Sequence, residues 1–182
     1  RVIASPGTTA LSFVASMQCD PFFEMYSCVD ERSAAYMAVG LAAETNEPVV
    51  ITCTGATASR NYLPALTEAY YRKLPILAVT GTQYEGRIGD LHSQLIDRSS
   101  IQKDVAVLSV HIPGLVETSS FEEKRHAQVE MNRAITALTR HGGGPVHINL
   151  QTLYSWDFSV AKLPEVKMVR RMTYGTVEQF PE

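Results

Sequence analysis

Two acidic residues, Asp30 and Glu31, lie where a short apolar segment gives way to an alanine-rich stretch with helical spacing. At such a junction a carboxylate caps the first turn of a helix, and the helix dipole stabilises it by about 0.3–1 kcal/mol. A carboxyl group at such a junction can also take part in acid–base chemistry. The pair therefore has two interpretations, a plain helix cap or a cap whose second member, Glu31, does acid–base chemistry.

Four further segments place small hydroxyl, amide and glycine residues at predicted loops or strand ends. They are Ala4–Thr8, Thr52–Ala58 with its continuation to Ala65, Gly89–Gln94, and Gly144–Leu150. Each is weak by itself, because the same residue types build ordinary strand-to-helix turns. The occurrence of all five segments in this order is stronger evidence for a binding site than any one of them.

Several other chemistries lack their sequence signatures. The chain has no G-x-G-x-x-G after its first apolar segment and no Walker lysine loop, which argues against a dinucleotide or P-loop site. Its five histidines do not have metal-ligand spacing and no cysteine joins them, so no metal site is predicted. A G-x-S-x-G nucleophile elbow is also missing, so the sequence does not support a catalytic triad.

Composition narrows the class of protein further. The 182 residues carry 16 basic and 19 acidic side chains, a net charge of −3 that excludes a strongly basic nucleic-acid binder. No apolar run approaches the roughly 18–20 residues that span a bilayer, and no signal peptide is recognisable, so we expect no membrane partner. The three cysteines, Cys19, Cys28 and Cys53, show no C-x-x-C spacing and are expected to be reduced and buried. These features together predict a cytoplasmic protein.

The elements that must position these residues alternate between strand and helix. Continuous apolar runs, typical of strands buried on both faces of a parallel sheet, occur at 2–4, 25–29, 49–53, 76–80, 105–112 and 146–150. Helical spacing of apolar residues covers Arg32–Glu44 and Glu122–Arg140. The pattern predicts a doubly wound, six-stranded parallel α/β sheet with helices on both faces, whose ligands bind beyond the carboxyl ends of the strands.

Turn residues and a thinning apolar pattern set the predicted boundaries. Thr54–Gly55 and Gly81 are expected to end the third and fourth strands, and the long polar segment from 81 to 103 is typical of a functional loop. Residues 1–158 are predicted to form one domain. Residues 159–182 are predicted to be a linker toward a further domain, because the apolar pattern thins from about Ser159 onward.

The five segments together resemble the N-terminal pyrimidine-binding domain of thiamine-diphosphate-dependent enzymes, over about residues 2–155. Within the acetolactate synthase and decarboxylase superfamily, Asp30–Ala35 and Gly144–Leu150 look most similar to the menaquinone-pathway synthases that use isochorismate. The resemblance implies that Glu31 hydrogen-bonds the pyrimidine ring of the cofactor and so promotes loss of the thiazolium proton. The cofactor then supports decarboxylation of a 2-oxo acid and passes the acyl unit to an acceptor or releases it.

The same resemblance implies roles for eight other residues. Pro6, Gly7, Thr54 and Gly55 match loops beside the cofactor, and Gln94 matches a glutamine near the reacting carbonyl. Thr8 matches a small hydroxyl residue that faces the substrate, while Arg87 and His92 are candidates for substrate binding. Ordinary turn and loop roles remain the alternative for each of these positions. His147, in the last predicted strand, is expected to be a core histidine.

Departures from the family pattern limit the analogy. Thr9 stands where the menaquinone-pathway synthases have an arginine, so we expect that isochorismate is not the acceptor and that Arg87 or another domain holds anionic substrates. The Gly-Asp-Gly motif that binds magnesium and diphosphate has no match. We therefore expect thiamine diphosphate and Mg²⁺ to be held jointly with a diphosphate-binding domain or subunit, in a homodimer or higher homo-oligomer.

The interpretation of this chain as one domain of a longer enzyme has two alternatives. The chain has the features of a separate small subunit in a two-subunit 2-oxo acid decarboxylase, and the gene boundary would distinguish this case. A noncatalytic oligomerisation domain of the same fold is the other alternative. The presence of Glu31 and Gln94 argues against it, because a scaffold does not need a carboxylate facing a pyrimidine slot.

Overall fold

Six parallel strands form a single sheet in the computed structural model, which describes residues 1–98 and 101–152. The strands run in the order β2-β1-β3-β4-β6-β5 across the sheet. Their bounds are β1 Val2–Ala4, β2 Met25–Ser27, β3 Val49–Cys53, β4 Ile76–Thr82, β5 Leu108–Ile112 and β6 Val146–Gln151. The predicted all-parallel α/β fold is confirmed.

Helices cover both faces of this sheet. Successive strand residues point to opposite sides, so apolar side chains on each face need a helix to pack against. Val49 and Ile51 of β3 pack into one core, whereas Val50 packs against the other. The helix bounds are α1 Leu11–Gln18, α2 Glu31–Thr45, α3 Thr57–Arg60, α4 Leu63–Arg72 and α5 Phe121–Ala137. Helices α2 and α4 build the first core and α5 builds the second. None of the helices in the described residues is long and apolar enough to cross a membrane.

Local sequence explains where the two longest helices begin. Asp30 is the N-cap of α2, and its carboxylate accepts a hydrogen bond from the Ser33 backbone N–H at 2.7 Å. The Ser33 side chain and, after it, this backbone N–H lower the pKa of the Asp30 carboxyl. Ser120 and Glu123 form a reciprocal capping box at the start of α5. The Asp30 cap makes Glu31 the first residue of α2.

The strand order places a switch point between β1 and β3. From β1 the chain moves outward to β2, and it then returns to add β3 on the other side of β1. Loops that leave the carboxyl ends of β1 and β3 therefore diverge and open a crevice between them. Candidate binding residues on both loops meet at this crevice.

Several predicted boundaries were wrong. Gly81 does not end β4, because Gly81 and Thr82 continue the ladder opposite Leu150 and Gln151 of β6. Strand β2 stops at Ser27, where its pairing with the three-residue β1 ends, and its residues are not buried on both faces. Strand β5 begins at Leu108 instead of residue 105. The predicted boundary at 158 and the linker 159–182 lie outside the described residues.

The predicted core position of His147 is confirmed. This residue of β6 is buried, and its two ring nitrogens lie 2.9 Å from the hydroxyls of Thr80 and Ser109 on the neighbouring strands. Burial, with smaller contributions from the positive charges of Arg98 and Arg60, lowers the pKa of His147 to about 3. The imidazole is therefore neutral at pH 7.

This burial predicts an acid-sensitive contribution to stability. Between pH 6.5 and about 3 the unfolded state protonates this histidine and the folded state does not, so the free energy of unfolding falls as the pH falls. The contribution approaches about 1.4 kcal/mol per pH unit in the middle of that window. We expect His147→Gln to be less stable at pH 7 and to lose this part of the slope between pH 6 and 5, measured by urea unfolding. An unchanged slope in the variant would contradict the assignment.

Candidate functional site

A cavity of about 320 Å³ opens at the carboxyl edge of the sheet, between the loops that follow β1, β3 and β4. Its lining comprises Thr8, Thr9, Thr54, Gly55, Gly81, Thr82, Gln83, Arg87, His92, Ser93, Gln94 and Leu95. We call it the edge cavity. Nine candidate site residues were predicted from the sequence. Six of them contribute to the lining of this cavity, namely Thr8, Thr54, Gly55, Arg87, His92 and Gln94.

Glycine lets these loops approach one another. A Cβ on Gly55 would lie 2.5 Å from the carbonyl oxygen of Gly81, and a Cβ on Gly81 would lie 2.9 Å from the carbonyl oxygen of Thr9. Gly7 packs in the same way against the Thr54 side chain. The loops after β1 and β3 and the end of β4 therefore contact one another at glycine positions, where any larger residue would push them apart.

The edge cavity offers hydroxyl groups and one positive charge. Thr8 and Thr9 stand on one side, and Arg87, in a single 3₁₀ turn after β4, is exposed on another. The hydroxyl of Thr9 is buried without a hydrogen-bond partner. Gln94 has a left-handed backbone with φ 63°, a conformation that non-glycine residues seldom adopt. Such a lining suits a small anionic molecule with several oxygen atoms.

Glu31 lies outside the lining of the edge cavity but near its β3 wall. Its half-buried carboxylate accepts a hydrogen bond from the Asn61 side-chain amide at 3.4 Å. The charge of Glu31 also helps to raise the pKa of both Cys53 and Tyr62. Because Cys53 is followed directly by Thr54, the Glu31 carboxylate lies close to the end of β3, from which the cavity loop begins.

Cys53 and Tyr62 form a buried neutral layer beside Glu31. Burial is the main reason that the pKa of the Cys53 thiol rises to about 12 and that the pKa of the Tyr62 hydroxyl rises as well. Ser5 is a further buried neighbour of Tyr62 and, with Cys53, influences the pKa of its hydroxyl. All three groups are protonated at pH 7, so none of them adds charge next to Glu31.

The structure places Pro6 and Gly7 away from the edge cavity. They line a second cavity of about 300 Å³ between α1 and β2, together with Leu11, Val14 and Tyr26. Gly7 nevertheless forms part of the support of the first cavity through its contact with Thr54. The predicted site residues are thus divided between two adjoining cavities and the start of α2.

Sequence reasoning missed or misjudged three features of the site and its surroundings. Asn61 belongs to one of the five segments, but its contact with Glu31 was not predicted from the sequence. Arg98, at the end of the long polar loop, is buried and donates to the Gly81 carbonyl oxygen at 3.3 Å, and nothing in its sequence context indicates burial. The expectation of three buried cysteines was wrong, since only Cys53 is buried and Cys19 is exposed on the turn that ends α1.

Comparison with known proteins assigns the chain to a class. A family model described as "Thiamine pyrophosphate enzyme, N-terminal TPP binding domain" matches residues 1–117, well over half of the chain. The chain belongs to this family. It is therefore an N-terminal, thiamine-diphosphate-binding domain of the pyrimidine-binding type.

Individual relatives and structures agree with this assignment. The chain is 32% identical over 172 residues to 2-succinyl-5-enolpyruvyl-6-hydroxy-3-cyclohexene-1-carboxylate synthase of Bacteroides thetaiotaomicron, covering 94% of the chain and 30% of the relative. It is 35% identical over 166 residues to the enzyme of the same name from Desulfotalea psychrophila, covering 90% and 30%. The fold matches that of benzoylformate decarboxylase from Polynucleobacter necessarius with a TM-score of 0.68 at 21% identity, covering 94% of the chain and 30% of that structure. The chain thus spans under a third of each of these proteins.

The glycine contacts predict a sharp difference between two alanine substitutions. Gly55→Ala places a methyl group against the Gly81 carbonyl, so we expect the loops to move apart, the domain to lose about 1–3 kcal/mol of stability, and affinity for thiamine diphosphate to fall. The matched control is Gly40→Ala on the exposed face of α2, where no atom lies within 4 Å of the added carbon. The control should gain about 0.5–1 kcal/mol and keep its affinity. Urea unfolding and calorimetric titration measure both quantities, and equal effects of the two changes would contradict the packing described.

Proposed function

We propose that this chain supplies the pyrimidine-binding half of the active site in a thiamine-diphosphate-dependent enzyme that decarboxylates a 2-oxo acid and transfers or releases the acyl unit. The observation that carries the proposal is the position of Glu31. Its carboxylate stands beside the β3 loop that walls a polar cavity, on a helix terminus held by the Asp30 cap.

The residues present fit a bound aminopyrimidine. The donor and acceptor set required is one carboxyl group for a ring nitrogen and backbone amides or carbonyls for the exocyclic amine. Glu31 supplies the first, and the Thr54–Gly55 segment, which carries no large side chain, leaves backbone groups accessible beside it. When bound, the cofactor supplies the carbon nucleophile and electron sink that decarboxylation of a 2-oxo acid requires.

Glu31 would hold a proton at its carboxyl oxygen and share it with the pyrimidine ring nitrogen. Proton sharing with a weakly basic ring nitrogen requires a carboxyl group shielded from water, so a covering domain would have to remove water from the half-exposed side of Glu31. The Asn61 amide already orients one carboxyl oxygen at 3.4 Å. The neutral thiol of Cys53 and hydroxyl of Tyr62 provide a weakly polar surface behind it.

The edge cavity would receive the 2-oxo acid. Arg87 would bind its carboxylate, Thr8 and Gln94 would hydrogen-bond the reacting carbonyl group, and His92 would be a candidate for moving protons, since all four residues line this cavity. The loop that carries Arg87, His92 and Gln94 is largely exposed in the chain alone. A covering domain would exclude water from it.

The remaining ligands of the cofactor would come from elsewhere. The Gly-Asp-Gly motif that binds magnesium and diphosphate in the enzymes this chain resembles has no match in its sequence. We therefore propose that Mg²⁺ and the diphosphate are bound by a diphosphate-binding domain or subunit, in a cytoplasmic homodimer or higher homo-oligomer. The chain alone is expected to be incomplete as an enzyme.

Replacing Glu31 by glutamine is the sharpest test of the proposed function. In the full-length protein, Glu31→Gln keeps the side-chain volume but cannot share a proton with the ring nitrogen. We expect proton exchange at the thiazolium carbon, followed by NMR, to slow by about 10²-fold or more, because general acid–base groups contribute about 10²–10⁴ in rate. Stability should change little.

Asp30→Asn is the matched control for this experiment. It removes a carboxylate from the same helix terminus but retains an N-cap acceptor, so α2 keeps its cap. Exchange at the thiazolium carbon should stay near the wild-type rate. Normal exchange in Glu31→Gln, or equal slowing in both variants, would show that Glu31 does not act on the cofactor.

Substrate choice follows from the cations of the edge cavity. Thr9 places no positive charge beside Thr8, and Arg87 is the cation among the residues that line the cavity. We expect turnover of the full-length enzyme with isochorismate and 2-oxoglutarate to be far below that with its best substrate pair, and Arg87→Gln to raise KM for the 2-oxo acid by about 10-fold or more. Efficient use of isochorismate, or an unchanged KM in the variant, would contradict this assignment.

A further inference from the structure

One side-chain contact ties the loop of the edge cavity to a strand on the far side of the sheet. The loop leaves β4 at Thr82 and shortly afterwards forms the 3₁₀ turn Glu85–Arg87. The carboxylate of Glu85 lies 3.3 Å from Nδ1 of His111, a residue of β5. Because β6 stands between β4 and β5, this Glu85–His111 contact crosses the carboxyl end of β6.

The sheet fixes the His111 end of the contact. His111 pairs with Asn149 in the ladder between β5 and β6, and its Nδ1 lies 3.0 Å from the side-chain amide nitrogen of Asn149. Asn149 is 3% exposed, so its side chain is confined. A carboxamide can present either its N–H₂ group or its oxygen to a ring nitrogen, so Asn149 can hold the imidazole whether or not Nδ1 carries a proton. His111 is therefore a fixed point to which the loop brings Glu85.

The turn at the other end is held together internally but is weakly attached to the rest of the chain. The Arg87 N–H donates to the Tyr84 carbonyl oxygen at 3.2 Å. The Ile88 N–H donates to the Glu85 carbonyl oxygen at 2.9 Å. Residues 84–90 are all exposed, and in the part of the chain that the structure describes the Glu85–His111 contact is their one polar side-chain link to the sheet. Holding Glu85 therefore also holds Arg87, two residues further on.

The position of Glu85 also decides how much positive charge Arg87 offers to a ligand. Within residues 1–98 and 101–152, Arg87 makes no ion pair. A carboxylate released two residues away would pair with this guanidinium and compete with an anionic ligand. His111 and the buried positive charge of Arg98 attract Glu85 in the other direction. The contact thus leaves the Arg87 guanidinium available.

We propose that His111 is a positioning residue for the 2-oxo acid substrate, because through Glu85 it holds the turn that presents Arg87 to the edge cavity. The inference rests on the proposed function, in which Arg87 binds the substrate carboxylate. Neither His111 nor Glu85 lines the cavity, so replacing them changes substrate binding through the position and charge of Arg87. Their side chains are 34% and 46% exposed, so losing the contact should matter less than losing Arg87 itself.

Steady-state kinetics of the full-length enzyme test the inference. We expect His111→Phe, which keeps a ring without nitrogen, to raise KM for the 2-oxo acid by about 3–5-fold and to leave kcat within about 2-fold, the range open to a partly exposed ion pair. Glu85→Ala loses the anchor but also the competing carboxylate, so its KM should rise less. The double variant should match Glu85→Ala alone, because without the carboxylate His111 has nothing to hold.

A rescue variant and a matched control separate positioning from a general loss of structure. His111→Asn places an amide nitrogen close to the position of Nδ1 and should restore most of the wild-type KM. His126→Phe makes the same exchange on the exposed face of α5 and should leave KM unchanged.

Hydrogen exchange gives a second readout that does not depend on catalysis. The backbone amides of residues 84–90 should exchange about 3–5-fold faster in His111→Phe and in Glu85→Ala than in the wild type, because the turn opens more often. In Glu85→Ala the amides of β5 should exchange at the wild-type rate. Unchanged exchange at 84–90 in both variants would overturn the inference.

Arg87→Gln distinguishes a failure of this inference from a failure of the proposed function. If Arg87→Gln raises KM and His111→Phe does not, the inference is overturned and the proposed function stands. If neither changes KM, the substrate role of Arg87 is wrong and the inference falls with it. Should His111→Phe fail to fold, Glu85→Ala decides the outcome, because Glu85 is exposed.

Discussion

The site depends on three close contacts of glycine residues at the carboxyl edge of the sheet. The loops after β1 and β3 and the end of β4 meet because Gly7, Gly55 and Gly81 carry no Cβ where a neighbouring segment approaches. A methyl group at any of the three would collide with a carbonyl oxygen or with the Thr54 side chain. The parallel sheet fixes the positions of the strand ends, and these contacts hold the segments at the strand ends together as one wall of the edge cavity.

Opposite charges flank the end of β3 without neutralising each other. Glu31 lies at the start of α2, and Arg98 lies behind Gly55. Between them are Cys53 and Tyr62, both protonated because burial raises the pKa of each. A carboxylate kept apart from a guanidinium in this way remains available to a ligand. We propose the pyrimidine ring of thiamine diphosphate as the ligand of Glu31.

Sequence patterns predicted the sheet well because its strands are nearly continuous apolar runs. Strand ends were less accurate: β4 continues through Gly81 because β6 offers it two further partners, and a glycine alone does not reveal such pairing. Six of the candidate residues line one cavity because they lie in loops beyond strands whose carboxyl ends share one edge of the sheet. The Glu31–Asn61 contact and the burial of Arg98 depend on how α2 and the long loop fold back on β3. Contacts between distant segments leave no periodic signal in the chain.

The most direct measurement is a crystal structure of the full-length protein with thiamine diphosphate and Mg²⁺. Glu31 is predicted to place a carboxyl oxygen within about 2.6–3.2 Å of a pyrimidine ring nitrogen, the distance that proton sharing requires. The Thr54–Gly55 segment should contact the same ring, and the thiazolium should face the edge cavity. A pyrimidine ring bound elsewhere, or a Glu31 carboxylate that still pairs only with Asn61, would contradict the proposed role of Glu31.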